Sequence, residues 1–223
     1  MKMKNGQVVP ENLSIPEIAK MMESSDMQTF ALACEALRLV STEQAYELLK
    51  RHFIISDRYK FRCILEVIFD YPNASELIYK LEYALESKEI FLVKTALEII
   101  IQGKVRVADE HILRCIERNQ GRLNNGYWYR ALYGIERNED NVERVLNLYH
   151  SCKEDRGRIA IAECLYTFCN LKNYLRFFEL FKDDSIPHIR IVACRIAKEY
   201  DRPDLLQRFV QDKDGHIRKL ALS

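Results

Sequence analysis

The sequence predicts an all-α protein built as a solenoid of stacked helix pairs, and three observations predict it. Ser25-Asp26, Ser56-Asp57 and Ser87-Lys88 recur at a spacing of 31 residues, and each opens an apolar helical segment. A period of that size marks supersecondary units that bury their apolar faces only by stacking on one another. Apolar residues recur at i, i+3, i+4 and i+7 almost throughout, and strand signals are nearly absent. Only seven glycines and five prolines punctuate 223 residues.

The elements follow in order. Ser14-Ile15-Pro16-Glu17 is a helix start, with Ser14 as N-cap and Pro16 in the first turn. Asp26 precedes Phe30, Ala33, Cys34 and Leu37, which share one helical face. Thr42 opens a helix with Tyr46, Leu49 and Phe53 on a stripe, and Asp57 leads to Phe61, Ile64, Leu65 and Ile68. Asn73 is expected to cap a helix carrying Leu77, Leu81 and Leu85. Ser87 leads into 91–101, which Gly103 ends as a residue free to take positive φ. Asp109 to Arg118 is helical, and 119–126, rich in Asn and Gly, is the longest loop signal. Helices are expected over 127–135, 142–149, 158–168, 171–181, 189–200, 205–210 and 215–222.

That makes about fourteen short helices, consistent with seven antiparallel pairs. The units fall near 14–40, 41–71, 72–103, 104–137, 138–169, 170–200 and 201–223, a single repeat domain over 14–223 behind a polar tail at 1–13.

The last two units carry more specific residues. Ile189, Arg190 and Ala193 follow the acidic turn Lys182-Asp183-Asp184, and Ile217, Arg218 and Ala221 follow the turn Gln211-Asp212-Lys213-Asp214. This resembles the HEAT repeat family, whose units carry an Asp-rich turn followed by Val-Arg-x-x-Ala. Earlier units keep the period but lose the signature, with Tyr59-Lys60 in place of Val-Arg. The resemblance implies a right-handed α–α superhelix whose second helices line a concave surface. That surface is expected over 26–39, 57–71, 88–102, 126–136, 156–169, 187–199 and 214–222. The resemblance also implies that Arg190 and Arg218 join a ladder with Asp183, Asp184, Asp212 and Asp214.

Composition narrows the function. Lys and Arg number 34 against 33 Asp and Glu, a net charge of +1, so no global attraction to a polyanion or an anionic membrane is expected. The seven cysteines are odd in number, form no Cys-x-x-Cys pair and sit among Ala, Leu and Ile. They read as small buried apolar residues in a reducing cytoplasm. No His/Cys spacing matches a metal site. No apolar stretch suits a signal peptide or a membrane span, and the expected setting is cytoplasmic.

Phosphate-loop, Gly-x-Ser-x-Gly and His-Glu-x-x-His motifs are absent, so a non-enzyme without a cofactor is expected. His188 and His216 stand at equivalent places in two units, which reads as a repeat feature. The one aromatic cluster is Tyr127-Trp128-Tyr129 with Arg130 beside it and Tyr133 one turn on. Three consecutive rings on a helix cannot all face the core, so at least one is expected at the surface. Aromatics beside Arg are typical of binding hot spots. Tyr127, Trp128, Arg130, Arg158 and Arg195 are therefore the candidate partner-binding residues, with a protein as the expected partner. The alternative is a nucleic-acid-binding HEAT-like protein of the alkylated-base DNA glycosylase type, to which Trp128 and Arg158 could contribute. The near-balanced charge speaks against it.

Overall fold

A computed structural model describes residues 13–223. Among these residues the chain forms thirteen α-helices and four 3-10 segments, with no strand. The polar tail expected at 1–13 lies outside the described residues except for Leu13. No helix among them is long and apolar enough to cross a membrane. The chain divides into two compact units, Met1–Val107 and Ala108–Ser223.

The first unit holds α1 (Ile15–Met22), α2 (Met27–Val40), α3 (Glu43–His52), α4 (Arg58–Ile68), a 3-10 segment (Pro72–Leu77), α5 (Ile78–Glu86) and α6 (Ile90–Ile101). The starts sit where the polar residues put them. Glu17 accepts from both the backbone N–H and the hydroxyl of Ser14. Asp26, Thr42 and Asp57 each accept from the N–H three residues on, satisfying a donor that the first turn leaves open. Gly103 takes φ +71° beyond the end of α6.

α2 packs on α4 and α4 on α6, while α1, α3 and α5 each pair with the helix that follows. Between the rows lie Phe30, Leu37, Leu49, Phe53, Phe61, Ile64 and Leu92, all buried. Each such side chain contributes about 1.5–3 kcal/mol by leaving water. Tyrosine hydroxyls tie successive pairs together. Tyr71 donates to the Leu37 carbonyl at 2.5 Å, and Tyr46 to Glu76 at 2.8 Å.

One expected cap is corrected. Asn73 lies inside the 3-10 segment, and α5 begins only at Ile78. The Asn73 amide is engaged across the seam, donating to Glu43 at 3.2 Å, while its carbonyl accepts from Tyr46. Leu77, Leu81 and Leu85 are buried as the stripe requires.

The second unit holds α7 (Asp109–Asn119), 3-10 segments at Gln120–Arg122 and Gly126–Gly134, α8 (Glu139–Ser151), α9 (Asp155–Thr167), α10 (Tyr174–Phe181), α11 (Pro187–Glu199), α12 (Pro203–Leu206), a 3-10 segment (Gln207–Phe209) and α13 (Gly215–Leu222). The segment Gly126–Gly134 packs on α9, α9 on α11 and α11 on α13, with α8, α10 and α12 each packed on the following or preceding member of that row.

The α-helix expected over 127–135 is instead a nine-residue 3-10 helix. Tyr129, Leu132 and Ile135 are buried at a spacing of three, the period of that helix. The same three positions suit an α-helix nearly as well, so the apolar pattern could not separate the two. Expected starts at 171 and 205 also move: α10 begins at Tyr174, leaving Leu171 exposed, and 203–209 is one short α-turn continued as 3-10.

Candidate functional site

Two constellations occupy the second unit. The first is a ladder at the turns before α9, α11 and α13. Arg190, only 4% exposed, donates to both oxygens of Asp212 at 2.8 Å and to the carbonyls of Asp184 and Ser185 at 2.9 and 3.3 Å. This hydrogen bond holds the Asp212 carboxyl below the usual carboxylate range. Arg218 repeats the carbonyl part of the motif, donating to Asp212 at 2.6 Å and to Lys213 at 3.2 Å. Asp214 caps α13, and Asp183 pairs with Arg208.

Arg158 occupies the rung before Arg190. It pairs with Asp184, whose side chain is 5% exposed, and Asp184 also accepts from the Tyr149 hydroxyl at 2.6 Å. The ladder thus runs through Arg158–Asp184 and Arg190–Asp212, with carboxylate and guanidinium exchanged between consecutive repeats. Arg158 is engaged in holding α9 to the next turn.

The second constellation gathers on the row formed by the 3-10 helix, α9 and α11. Tyr129 is fully buried, while Tyr127 and Trp128 are half-buried and meet edge to face with ring centres 5.1 Å apart. Arg130 is exposed, with its guanidinium 5.8 Å from the centre of the Tyr127 ring. Tyr133, one 3-10 turn further, is 41% exposed. Burial against its neighbours and the nearby Glu163 carboxylate push its hydroxyl up to about 12.

Glu163 fixes Arg195, which donates from one nitrogen to both carboxylate oxygens at 3.1 and 2.9 Å. The same guanidinium lies 4.2 Å from the centre of the Tyr166 ring. Burial opposes the Arg195 charge, but Glu163 and Tyr166 outweigh it and raise its pKa. The Tyr166 hydroxyl is raised by burial and by Glu199. Arg195 is therefore a preorganised cation on an aromatic plate, still 39% exposed along its side chain. Such a plate and guanidinium meet a partner at low ordering cost.

The five candidates thus separate. Arg130 and Arg195 flank Tyr133 on one face, Tyr127 and Trp128 lie at the start of the same 3-10 helix, and Arg158 belongs to the ladder. Glu163, Tyr166 and Glu199 complete the face and were not among the candidates. Their signal was in the sequence: 163 and 195 are one period of 32 apart, and 133, 166 and 199 recur at 33.

The cysteines are all free. Burial pushes the thiols of Cys63 and Cys194 up to about 11 and those of Cys115 and Cys169 to about 12, and raises Cys34 and Cys164 as well. Such thiols are protonated and poor nucleophiles at neutral pH. Among the described residues no group of three His, Cys, Asp or Glu side chains could hold a metal ion.

No protein-family model matches the sequence, and no curated protein matches it. Among solved structures the chain is similar to the crystal structure of an engineered protein, a Northeast Structural Genomics Consortium target, with 13% identity over 92% of each chain and a TM-score of 0.31.

Proposed function

We propose that this protein is a non-catalytic, cytoplasmic, HEAT-like repeat scaffold that binds a protein partner through the face formed by the second helices of its pairs. The observation that carries the reading is Arg195, held by Glu163 against Tyr166 beside the exposed Tyr133. Tyrosine and arginine dominate the energetics of protein interfaces when they are rigid and can be fully desolvated. The exposed aromatic surface gives contact area, and the fixed guanidinium gives direction. The glycosylase-type reading is less well supported, because Glu163 and Glu199 offset the Arg130 and Arg195 charges of the same face and leave no excess of cation for a phosphate backbone.

The test is a photo-crosslinking residue placed at Tyr133 in the full chain and activated in cell extract. One discrete protein adduct, abolished by Arg195→Ala and by Tyr166→Ala in variants of unchanged helical circular dichroism, is the expected result. Adducts that ignore both substitutions would remove this face as the binding surface.

A further inference from the structure

A second surface lies in the first unit, on the seam between α3 and the 3-10/α5 segment. Two lysines stand along this seam with opposite surroundings. Lys50 meets Glu76 at 2.6 Å and lies 3.7 Å from Glu47. These carboxylates, the Glu76 hydrogen bond first, raise its pKa. Lys80, further along the seam, has no carboxylate within ion-pair distance among the described residues. Its ammonium donates to the Phe53 carbonyl and lies 4.5 Å from the centre of the Phe53 ring and 5.9 Å from that of Tyr79. Its pKa is lowered, with burial as the cause.

The uncompensated ammonium sits in an apolar setting that is open to solvent. Ile54 is 57% exposed, Tyr79 56% and Tyr83 41%, all large apolar or aromatic side chains. The patch is anchored from below. Tyr83 meets Phe61 edge to face at 5.8 Å, and Phe61 stacks on Phe53 at 4.6 Å. A half-buried cation without a counter-charge gains most from an anion that arrives together with apolar cover.

We propose that Ile54, Tyr79, Lys80 and Tyr83 form a docking site for an acidic linear segment of a partner protein. An aspartate or glutamate of that segment meets the Lys80 ammonium, and an adjacent apolar side chain covers Tyr83 and Ile54. Lys80 selects the occupant: a basic segment would bring like charge to an ammonium that has no carboxylate within ion-pair distance among the described residues, and a purely apolar one would bury it without a counter-charge.

The probe is a random dodecapeptide library displayed on phage and selected against the immobilised full chain. Expected are peptides with Asp or Glu within three residues of Leu, Ile, Phe or Tyr. Their affinity should fall about tenfold on Lys80→Gln and stay near the wild-type value on Lys80→Arg, because the charge supplies the contact. Tyr79→Ala gives an independent reading, since that side chain is largely exposed and its removal leaves the core intact. It should weaken the same peptides severalfold even if Lys80→Gln proves unstable. Selected peptides without acidic enrichment, acidic peptides that bind Lys80→Gln as well as wild type, or no binders at all would overturn the proposal. So would self-association of the chain that Tyr79→Ala abolishes, which would make the patch a contact between copies.

Discussion

Two arginines five residues apart on α11 show how burial sets the worth of an ion pair. Arg190 is sealed in with Asp212, while Arg195 keeps 39% of its side chain exposed beside Glu163. Removing Arg190 takes the counter-charge from the Asp212 carboxylate, whose side chain is 9% exposed, and Arg190→Ala should cost about 3 kcal/mol in urea unfolding. Arg195→Ala removes a surface pair and should cost under about 1 kcal/mol. Equal losses from the two would contradict this division of labour between ladder and face. The sign of the pH dependence follows from Asp212, whose folded-state pKa is depressed by Arg190. Its contribution is fully present above the ordinary aspartate pKa of about 3.9 and fades as pH falls through the lower folded value. Unfolding free energy measured from pH 6 downward should therefore drop at the acid end, and less steeply in Asp212→Asn. Arg190 was legible because its acidic turn and its Ile-Arg-x-x-Ala context repeat at Arg218. Arg195 and Glu163 were harder to read: a pair one period apart is visible in the sequence only once the stacking register of α9 and α11 is known.

At the scale of elements, the departure at 126–134 is the informative one. Its apolar residues fit periods of 3.0 and 3.6 alike, so local pattern could not choose. Tertiary contact decides. A Cβ on Gly126 would lie 2.3 Å from the Arg156 carbonyl oxygen, and one on Gly157 would lie 2.7 Å from the Cys152 sulfur and 3.0 Å from the Tyr129 ring. The 3-10 helix and the start of α9 therefore meet almost backbone to backbone, and only glycine permits it. Gly126→Ala and Gly157→Ala should each destabilise by about 1–3 kcal/mol, the range for overpacked cores, with Gly126 the worse because its obstacle is main chain. Gly134→Ala, with nothing within 4 Å of its Cβ position, is the control and should leave the unfolding midpoint nearly unchanged. Elsewhere the elements were legible because their caps are explicit. Asp26, Thr42, Asp57 and Asp214 each stand at a helix start and accept from its first turn. The division at Val107–Ala108 falls just after Gly103, which the sequence marks as a helix end, and inside the unit expected over 104–137.

For the whole molecule, charge is the property that bears on partner class. The sequence carries 34 basic and 33 acidic residues, and the structure spends many of them on one another across repeats. Arg58 pairs with Glu89, Arg144 with Glu110 and Glu117, and Arg176 with Glu143. Cations engaged in this way are not free to replace the counterions of a phosphate backbone, and such replacement supplies most non-specific affinity for DNA. A fluorescent duplex titrated with the full chain at about 50 mM salt, where electrostatic attraction is strong, should therefore remain unbound well into the micromolar range. Binding that is tight there and falls steeply as salt rises would mean that these pairs open to receive phosphates, and base excision would become the next assay. A flat titration, together with an Arg195-dependent crosslink from position 133, leaves recognition to a few fixed side chains on helical faces. That is the arrangement expected where aromatic plates and preorganised guanidinium groups, more than net charge, select the partner.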